Sequence, residues 1–284
     1  MEETFFRHGF ADVGEVTLHY VEAGEGETLV LLHGWPQTWY EWRRVMPELA
    51  KRYRVVAPDL RGLGDSSRPL SGYDKRTMAE DIWRLVNGHL GQERFCLVGH
   101  DWGGPTAFAL AAAHPEAVRR LAILDVVIPG DGGEFSQGGR RWHHAFHLTP
   151  DLPEALVTGR ERTYLTWFYR TYGYRPDAIG EAEIDEYVRT YSLPGALRAG
   201  FSLYRALPQD AADNAAWLKG SKLPMPVLGL GGANAWGRGK EVEASLRRVA
   251  GNVTAAVIEE CGHWIPEEQP EILLGHLLPF LAGD

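Results

Sequence analysis

The sequence predicts an α/β fold in which a mostly parallel sheet is flanked by helices and carries an inserted helical lid. Short apolar runs typical of buried parallel strands alternate along the chain with helix-forming segments. Between about residues 129 and 217 this alternation stops, and the chain becomes helical in character with 14 of its 31 aromatic residues. We therefore predict a core domain formed by residues 1–128 and 218–284, and a lid domain formed by residues 129–217.

Seven short runs predict the strands of the sheet, because most are continuous apolar stretches of the kind buried on both faces. The runs are Val16–Tyr20, Thr28–Leu32, Tyr53–Ala57, Phe95–Val98, Arg120–Leu124, Val227–Leu230 and Val253–Ile258. Two segments between them predict helices. Thr77 and Glu80 have the spacing of a capping box, which predicts a helix that runs to about Leu90. The alanine-rich run 106–113 predicts another.

The length and the charge of the chain limit its partners. With 284 residues, it is long enough for one large α/β domain with an inserted subdomain. The formal net charge of −9 argues against nucleic acid or an anionic membrane as a partner, and no apolar run predicts a membrane span. The first residues lack the pattern of a secretion signal, so we predict a cytoplasmic protein with Cys96 and Cys261 as reduced, buried thiols. No sequence feature marks an oligomer interface, which leaves a homodimer open.

The pentapeptide Gly99–Gly103, with Asp101 at its centre, has the form of a nucleophile elbow. A predicted strand precedes it and a predicted helix follows it, which is the context that such an elbow requires. A carboxylate at its tip attacks saturated carbon and forms an alkyl ester. This chemistry points to epoxides or alkyl halides as substrates.

The predicted general base is His263, because it follows the last predicted strand in the run Cys261–Trp264. The loop 231–237, where a carboxylate that orients this base is often found, contains none. Asp125, at the end of the preceding predicted strand, is the available substitute. It would hold the tautomer of His263 and stabilise the imidazolium ion.

Backbone N–H groups are predicted to stabilise the oxyanion that forms during hydrolysis of the ester. One donor comes from the loop His33–Pro36, which follows a predicted strand, and the other from the residue after the nucleophile. These donors are the main chains of Trp35 and Trp102. Such a hydrogen bond contributes about 3 kcal/mol in acyl chemistry.

Together, the loop at His33, the elbow at Asp101, Asp125 and the run at His263 resemble the α/β-hydrolase-fold epoxide hydrolases and their relatives, the haloacetate dehalogenases. The resemblance covers nearly the whole chain, including the lid, and implies that Asp101 opens the ring while lid residues protonate the departing oxygen. Segment 201–207 resembles the part of the lid that carries an epoxide-activating tyrosine, here Tyr204.

The resemblance also implies a second donor in the lid. Trp142-His143 resembles the position at which one subgroup uses histidine in place of a second tyrosine. His144 and His147 offer the same chemistry nearby, and Tyr164 and Tyr169 are reserve candidates for the lid donors. His143 and His147 have a spacing that suits a metal, but no third ligand is evident, so we predict neither a metal nor a cofactor.

Three alternatives share this fold. Haloacetate dehalogenases resemble each other in two arginines that follow the nucleophile and hold the substrate carboxylate, but this chain has Trp102 and Pro105 there, and His144 where their fluoride pocket has tryptophan. Haloalkane dehalogenases do carry tryptophan after the nucleophile, so Trp102 leaves them open. A non-catalytic ligand receptor is the remaining alternative. The main prediction is hydrolysis of an apolar or aryl epoxide by water to a vicinal diol, through an ester of Asp101.

Overall fold

The computed structural model describes residues 5–283, and its centre is one eight-stranded sheet. The strands are β1 (Arg7–Asp12), β2 (Thr17–Ala23), β3 (Glu27–Leu32), β4 (Tyr53–Pro58), β5 (Phe95–His100), β6 (Val118–Leu124), β7 (Leu223–Gly232) and β8 (Ala250–Ile258). Their order is β1-β2-β4-β3-β5-β6-β7-β8. β2 pairs antiparallel with both of its neighbours, and all other pairs are parallel. The predicted fold class is confirmed.

Twelve α-helices surround the sheet within the described residues. They are α1 (Met46–Leu49), α2 (Lys75–Trp83), α3 (Gly103–Ala113), α4 (Trp142–Leu148), α5 (Leu152–Val157), α6 (Glu161–Tyr172), α7 (Glu181–Tyr191), α8 (Ala196–Arg205), α9 (Leu207–Leu218), α10 (Lys240–Val249), α11 (Ile265–Glu268) and α12 (Pro270–Ala282). A 3₁₀ turn covers Trp39–Trp42, and α2 continues as a π-helical turn over Arg84–His89. No helix in the part of the chain that the structure describes is long and apolar enough to cross a bilayer.

The core has two halves, one on each face of the sheet. Because side chains alternate along a strand, Phe95 and Leu97 of β5 contribute to one half, and Cys96 and Val98 contribute to the other. The first half includes α2, α3, α10 and the buried aromatic rings of α6–α8. The second packs the sheet against α1 and α12. Both faces of the central strands are therefore shielded from solvent, which explains their continuous apolar runs.

Six helices, α4 to α9, lie between β6 and β7. Their inward aromatic rings, among them Phe168, Tyr169 and Phe201, are buried, so they form part of the core and do not simply coat the surface. Lys75 on α2 forms a buried ion pair with Asp210 on α9, at 3.2 Å between Nζ and Oδ2, which joins the first half of the chain to these helices. The division into a lid of residues 129–217 and a core stays a prediction.

Two local predictions were wrong. The edge strand β1 was not predicted, because its residues are mostly exposed and show no apolar alternation. The N-cap of α2 is Asp74, whose Oδ1 accepts a hydrogen bond from the Thr77 N–H at 2.9 Å. The helix therefore begins at Lys75, two residues before the predicted capping box, since an aspartate in an extended conformation satisfies the free N–H as well as threonine does.

Candidate active site

The turn between β5 and α3 presents Asp101 at the carboxyl end of the sheet. Asp101 has a φ of +46°, a left-handed conformation that aspartate tolerates better than most side chains. The two flanking glycines are required by contact distances. A Cβ on Gly99 would lie 2.4 Å from the carbonyl oxygen of Gly103, and a Cβ on Gly103 would lie 2.2 Å from that of Leu32. The glycine-flanked pattern therefore has a steric cause.

Asp101 is ionised and accessible. Its Oδ1 accepts a hydrogen bond from the Trp35 N–H at 2.9 Å, and its side chain keeps 18% of its surface exposed. Burial opposes ionisation, but the hydrogen bond and charge of His263, followed by the charge of His100, outweigh it and lower the pKa of Asp101 to about 2. The Trp102 N–H acts in the same direction. The carboxylate therefore has the charge that a nucleophile needs.

His263 lies between the two carboxylates named from the sequence. Its Nδ1 is 2.6 Å from Oδ2 of Asp125, and its Nε2 is 3.4 Å from Oδ2 of Asp101. Oδ1 of Asp125 accepts hydrogen bonds from the N–H groups of Gly232 and Arg238, at 2.9 and 2.7 Å. The loop after β7 thus contains no carboxylate of its own, but its amides hold the carboxylate that follows β6.

The backbone of His263 is held from both sides. Its N–H donates to the carbonyl oxygen of Tyr172 at 3.0 Å, and its own carbonyl accepts from Nε2 of His100 at 2.8 Å. The other ring nitrogen of His100 is 3.2 Å from Oε2 of the buried Glu41. Burial lowers the pKa of His100, but the charge and hydrogen bond of Glu41 outweigh it and raise that pKa to about 9. His100 therefore donates through both nitrogens.

Tyr204 on α8 and His143 on α4 line the same cavity as Asp101. Their ring centroids are 5.5 Å apart. Burial raises the pKa of Tyr204 well above its ordinary value, so its hydroxyl keeps its proton. Burial, followed by the charges of His144 and His147, lowers the pKa of His143, which is therefore neutral. Nδ1 of His143 is 2.9 Å from the Tyr172 hydroxyl.

The other lid candidates lie in different places. His144 lines the cavity, and its Nδ1 is 3.0 Å from the Ser136 hydroxyl. His147 and Tyr164 form a hydrogen bond with each other at 2.6 Å and do not line the cavity. Tyr169 donates to the carbonyl oxygen of Pro36 at 2.6 Å, also outside the cavity. The two reserve tyrosines are thus not placed to touch a ligand beside Asp101.

The cavity has residues that sequence reasoning missed. Tyr172, Arg141 and Arg238 all line it. The sequence held a signal for each of the two arginines. Arg141 directly precedes the Trp142-His143 pair, and Arg238 follows the loop that was noted only for lacking a carboxylate. The remaining walls are mainly aromatic. The cavity volume is about 20 Å³, which is room for about one water molecule, so an organic substrate enters only when the walls move outward.

Neither cysteine belongs to the site. Cys96 and Cys261 are both buried and unpaired, and burial, followed by Glu27, raises the pKa of the Cys96 thiol to about 12. Elsewhere, His19, Asp59 and Asp65 bring possible ligand atoms within 4.8 Å of one another. Asp59 is already engaged there by His19 and by the Trp39 and Asp65 N–H groups. This cluster is therefore explained as a structural network.

The arrangement combines an ionised carboxylate, an imidazole oriented by a second carboxylate, and neutral proton donors in one cavity. Oδ1 of Asp101 already lies on the Trp35 N–H, so an oxyanion formed on this atom would have a donor in place. These groups suit attack on carbon, protonation of a leaving oxygen and hydrolysis of the resulting ester.

Residues 27–270 match the protein family described by its alpha/beta hydrolase fold. The chain is 42% identical to the soluble epoxide hydrolase of Corynebacterium sp. (strain C12) over 98% of each chain. It is 36% identical to the fluoroacetate dehalogenase of Burkholderia sp over 71% of this chain and 69% of that protein. The solved structure of the epoxide hydrolase CorEH without ligand superposes with a TM-score of 0.91 at 41% identity, covering 98% of this chain and 99% of the other.

Proposed function

The chain belongs to the α/β hydrolase family, and we propose that it hydrolyses an epoxide to a vicinal diol through a covalent ester of Asp101. The observation that carries this proposal is that Asp101 lies beside His263 and lines one cavity together with the neutral lid donors. The similarity to a soluble epoxide hydrolase along nearly the whole chain supports the same reaction. The substrate class proposed from the sequence, an apolar or aryl epoxide, is supported by the aromatic walls.

In the first step, a carboxylate oxygen of Asp101 attacks a ring carbon and the carbon–oxygen bond of the ring breaks. The ring oxygen takes a proton from Tyr204, whose raised pKa keeps that proton in place until an alkoxide develops. His143 is the second donor to the same oxygen. When the Tyr172 hydroxyl donates to its Nδ1, the proton of the neutral imidazole is on Nε2. The product of this step is a hydroxyalkyl ester of Asp101.

In the second step, Nε2 of His263 removes a proton from water, and the hydroxide attacks the ester carbonyl. Asp125 stabilises the imidazolium ion through Nδ1. The negative charge on the carbonyl oxygen is stabilised by the N–H groups of Trp35 and Trp102. When this intermediate collapses, the bond between the carbonyl carbon and the alkyl oxygen breaks, the leaving oxygen takes the proton of the attacking hydroxyl group, and the diol is released. The oxygen of the water stays in the Asp101 carboxylate, and the proton on His263 restores the tyrosine. The sum is one epoxide and one water consumed for one diol, with no cofactor or metal.

The test is the intact mass of a His263→Gln variant after brief exposure to styrene oxide or to chloroacetate. Without its base the enzyme stalls at the ester, so we expect a mass gain of one whole styrene oxide, located to Asp101. A gain equal to chloroacetate minus hydrogen chloride, with none from the epoxide, would instead assign a dehalogenase. A His114→Gln variant, altered at a histidine outside the cavity, is the control and is expected to accumulate no adduct.

For the setting of this reaction, we keep the cytoplasm as the proposed compartment. Two unpaired, buried thiols support it, because oxidising compartments favour disulfides. The net charge of −9 supports the absence of nucleic acid among its partners. A homodimer remains open.

A further inference from the structure

Two buried arginines line the cavity together with the nucleophile. Arg141 lies just before α4 and is 3% exposed, and Arg238 lies in the loop after β7 and is 4% exposed. Arginine is rarely buried to this extent unless a carboxylate or phosphate accompanies it. Whether the positive charges of these two side chains are compensated therefore depends on the acceptors around them.

The acceptors are almost all neutral. Arg141 donates from Nε to the side-chain oxygen of Gln137 at 3.1 Å and from Nη2 to the carbonyl oxygen of Trp236 at 2.8 Å. No carboxylate within residues 5–283 lies within 4.0 Å of its guanidinium. A buried cation with only neutral acceptors is costly.

Arg238 also has few charged acceptors around its guanidinium. Its Nη2 donates to the carbonyl oxygen of Phe135 at 2.8 Å, and its Nη1 is 3.3 Å from Oε2 of Glu241, a side chain that is 48% exposed. Its buried Nε has no hydrogen-bond partner among the described residues. Burial, followed by the charge of Arg141, lowers the pKa of Arg238 to about 10.

The carboxylates of the cavity do not compensate both cations. Asp125 is occupied by His263 and by two backbone N–H groups. Asp101 loses its negative charge when it becomes an ester. The histidines that face the arginines, His143 and His144, have pKa values lowered by burial and remain uncharged near neutral pH. In the ester state the cavity therefore holds two arginines, and among its described lining residues the one remaining carboxylate is Asp125, whose charge raises the pKa of Arg238 without offsetting its burial.

We propose that Arg141 and Arg238 select epoxides that carry a carboxylate, which they bind while Asp101 attacks the ring. This inference rests on the proposed reaction and replaces the apolar substrate class proposed for it with epoxides that carry a negative charge. Arginine and carboxylate pair through charge-assisted hydrogen bonds, which are about twice as strong as neutral ones. Trp102 and Pro105, one and four positions after the nucleophile, carry no such cation. The structure supplies the cations from Arg141, just before α4, and from Arg238, in the loop after β7.

The test compares oxirane-2-carboxylate with oxirane-2-carboxamide, which has the same shape without the charge. We expect the unmodified enzyme to hydrolyse the carboxylate with a kcat/KM about tenfold or more above that of the carboxamide. In Arg141→Gln and in Arg238→Gln we expect the ratio of the two kcat/KM values, carboxylate over carboxamide, to fall about tenfold or more. Arg140→Gln, altered at an exposed arginine outside the cavity, keeps the preference.

A binding readout separates substrate selection from a structural role. Glycerate, the diol that the carboxylate would yield, should inhibit carboxamide hydrolysis by the unmodified enzyme and not by Arg141→Gln. Equal kcat/KM for the two epoxides, or equal losses on both in the variants, would overturn the inference and leave the proposed function intact. If neither compound, nor styrene oxide, is opened or labels Asp101 in His263→Gln, then the proposed function itself is wrong.

Discussion

Two aspartates of one cavity are given different roles by their surroundings. Oδ1 of Asp101 accepts a hydrogen bond from the Trp35 N–H, and the Asp101 side chain remains partly exposed. Asp125 is fully surrounded by the imidazole of His263 and two backbone N–H groups. A carboxylate with free lone pairs facing a cavity can attack, whereas one with its lone pairs occupied can only orient its neighbour. The surroundings thus make Asp101 the candidate nucleophile and Asp125 the candidate group that orients His263, although the two side chains are chemically identical.

The first prediction concerns Tyr204. Tyr204→Phe removes the hydroxyl that we propose protonates the ring oxygen, so ring opening should slow by about 100-fold or more, while hydrolysis of the ester changes little. Single-turnover kinetics that follow formation and decay of the ester on Asp101 distinguish the two steps. Tyr164→Phe is the matched control, because that hydroxyl contacts His147 outside the cavity. An unchanged rate of ring opening in Tyr204→Phe would remove this assignment.

Single residues differ in how far the sequence predicts them. Asp101 and His263 could be named because the glycines beside them mark turns at strand ends. Asp125 could be named only because the usual loop has no carboxylate. Arg141 and Arg238 were not named, because their neighbours in the sequence indicate only that they lie near the site, and their importance depends on acceptors that come from distant parts of the chain, such as Trp236 for Arg141. A local pattern carries no information on such distances.

At the scale of elements, the position of the nucleophile depends on how closely α3 approaches β3. The first residue of α3, Gly103, lies against the carbonyl groups of Leu32 and His33. A side chain there would push the helix away from the sheet. The Trp102 N–H, which helps to hold the Asp101 carboxylate, lies in the same turn. Close packing of helix on strand therefore positions both the nucleophile and a donor to its oxyanion.

The second prediction tests this packing. Gly103→Ala places a Cβ 2.2 Å from the Leu32 carbonyl oxygen, so we expect a loss of about 1–3 kcal/mol in the free energy of unfolding and a large fall in activity. Gly275→Ala, inside α12, meets nothing within 4 Å and should stabilise the protein by up to about 1 kcal/mol. Urea unfolding measures both variants. Equal stability of the two would contradict the steric explanation.

Elements were predicted well where burial is complete and poorly at edges. β5 and β6 are buried along most of their length, and their apolar runs are visible in the sequence. β1 pairs only with β2 and is mostly exposed, so its sequence has no apolar pattern. The start of α2 was misplaced because Asp74 and Thr77 both belong to the residues that cap helices, and only backbone geometry decides between them.

At the scale of the whole molecule, His100 and Glu41 form a buried pair of titratable side chains at the carboxyl end of the sheet. Both side chains are fully buried. Burial raises the pKa of Glu41 to about 7, although His100 partly opposes this. His100 in turn connects the end of β5 to the backbone of His263. The stability of the fold and the placement of the base are therefore linked to one protonation state.

The third prediction follows from this pair. The folded-state pKa of His100, about 9, lies above its ordinary value of 6.5, so its contribution to stability is complete below pH 6.5 and is lost as the pH rises through 9. The loss is up to about 3 kcal/mol. Urea unfolding at pH 6.5, 7.5 and 9 should show this decline in the unmodified protein and in Glu48→Gln, an exposed control. Glu41→Gln should lose most of it, and an unaltered slope would refute the linkage.

The connection between β6 and β7 affects how the range of accepted molecules can evolve. These strands are neighbours in the sheet, yet all six helices from α4 to α9 are inserted between them. Tyr204 and His143 lie on this insertion, whereas Asp101 and His263 lie on the sheet side of it. Substitutions within one continuous stretch of the gene can therefore alter which molecules the cavity accepts, while the codons for the nucleophile and the base stay unchanged.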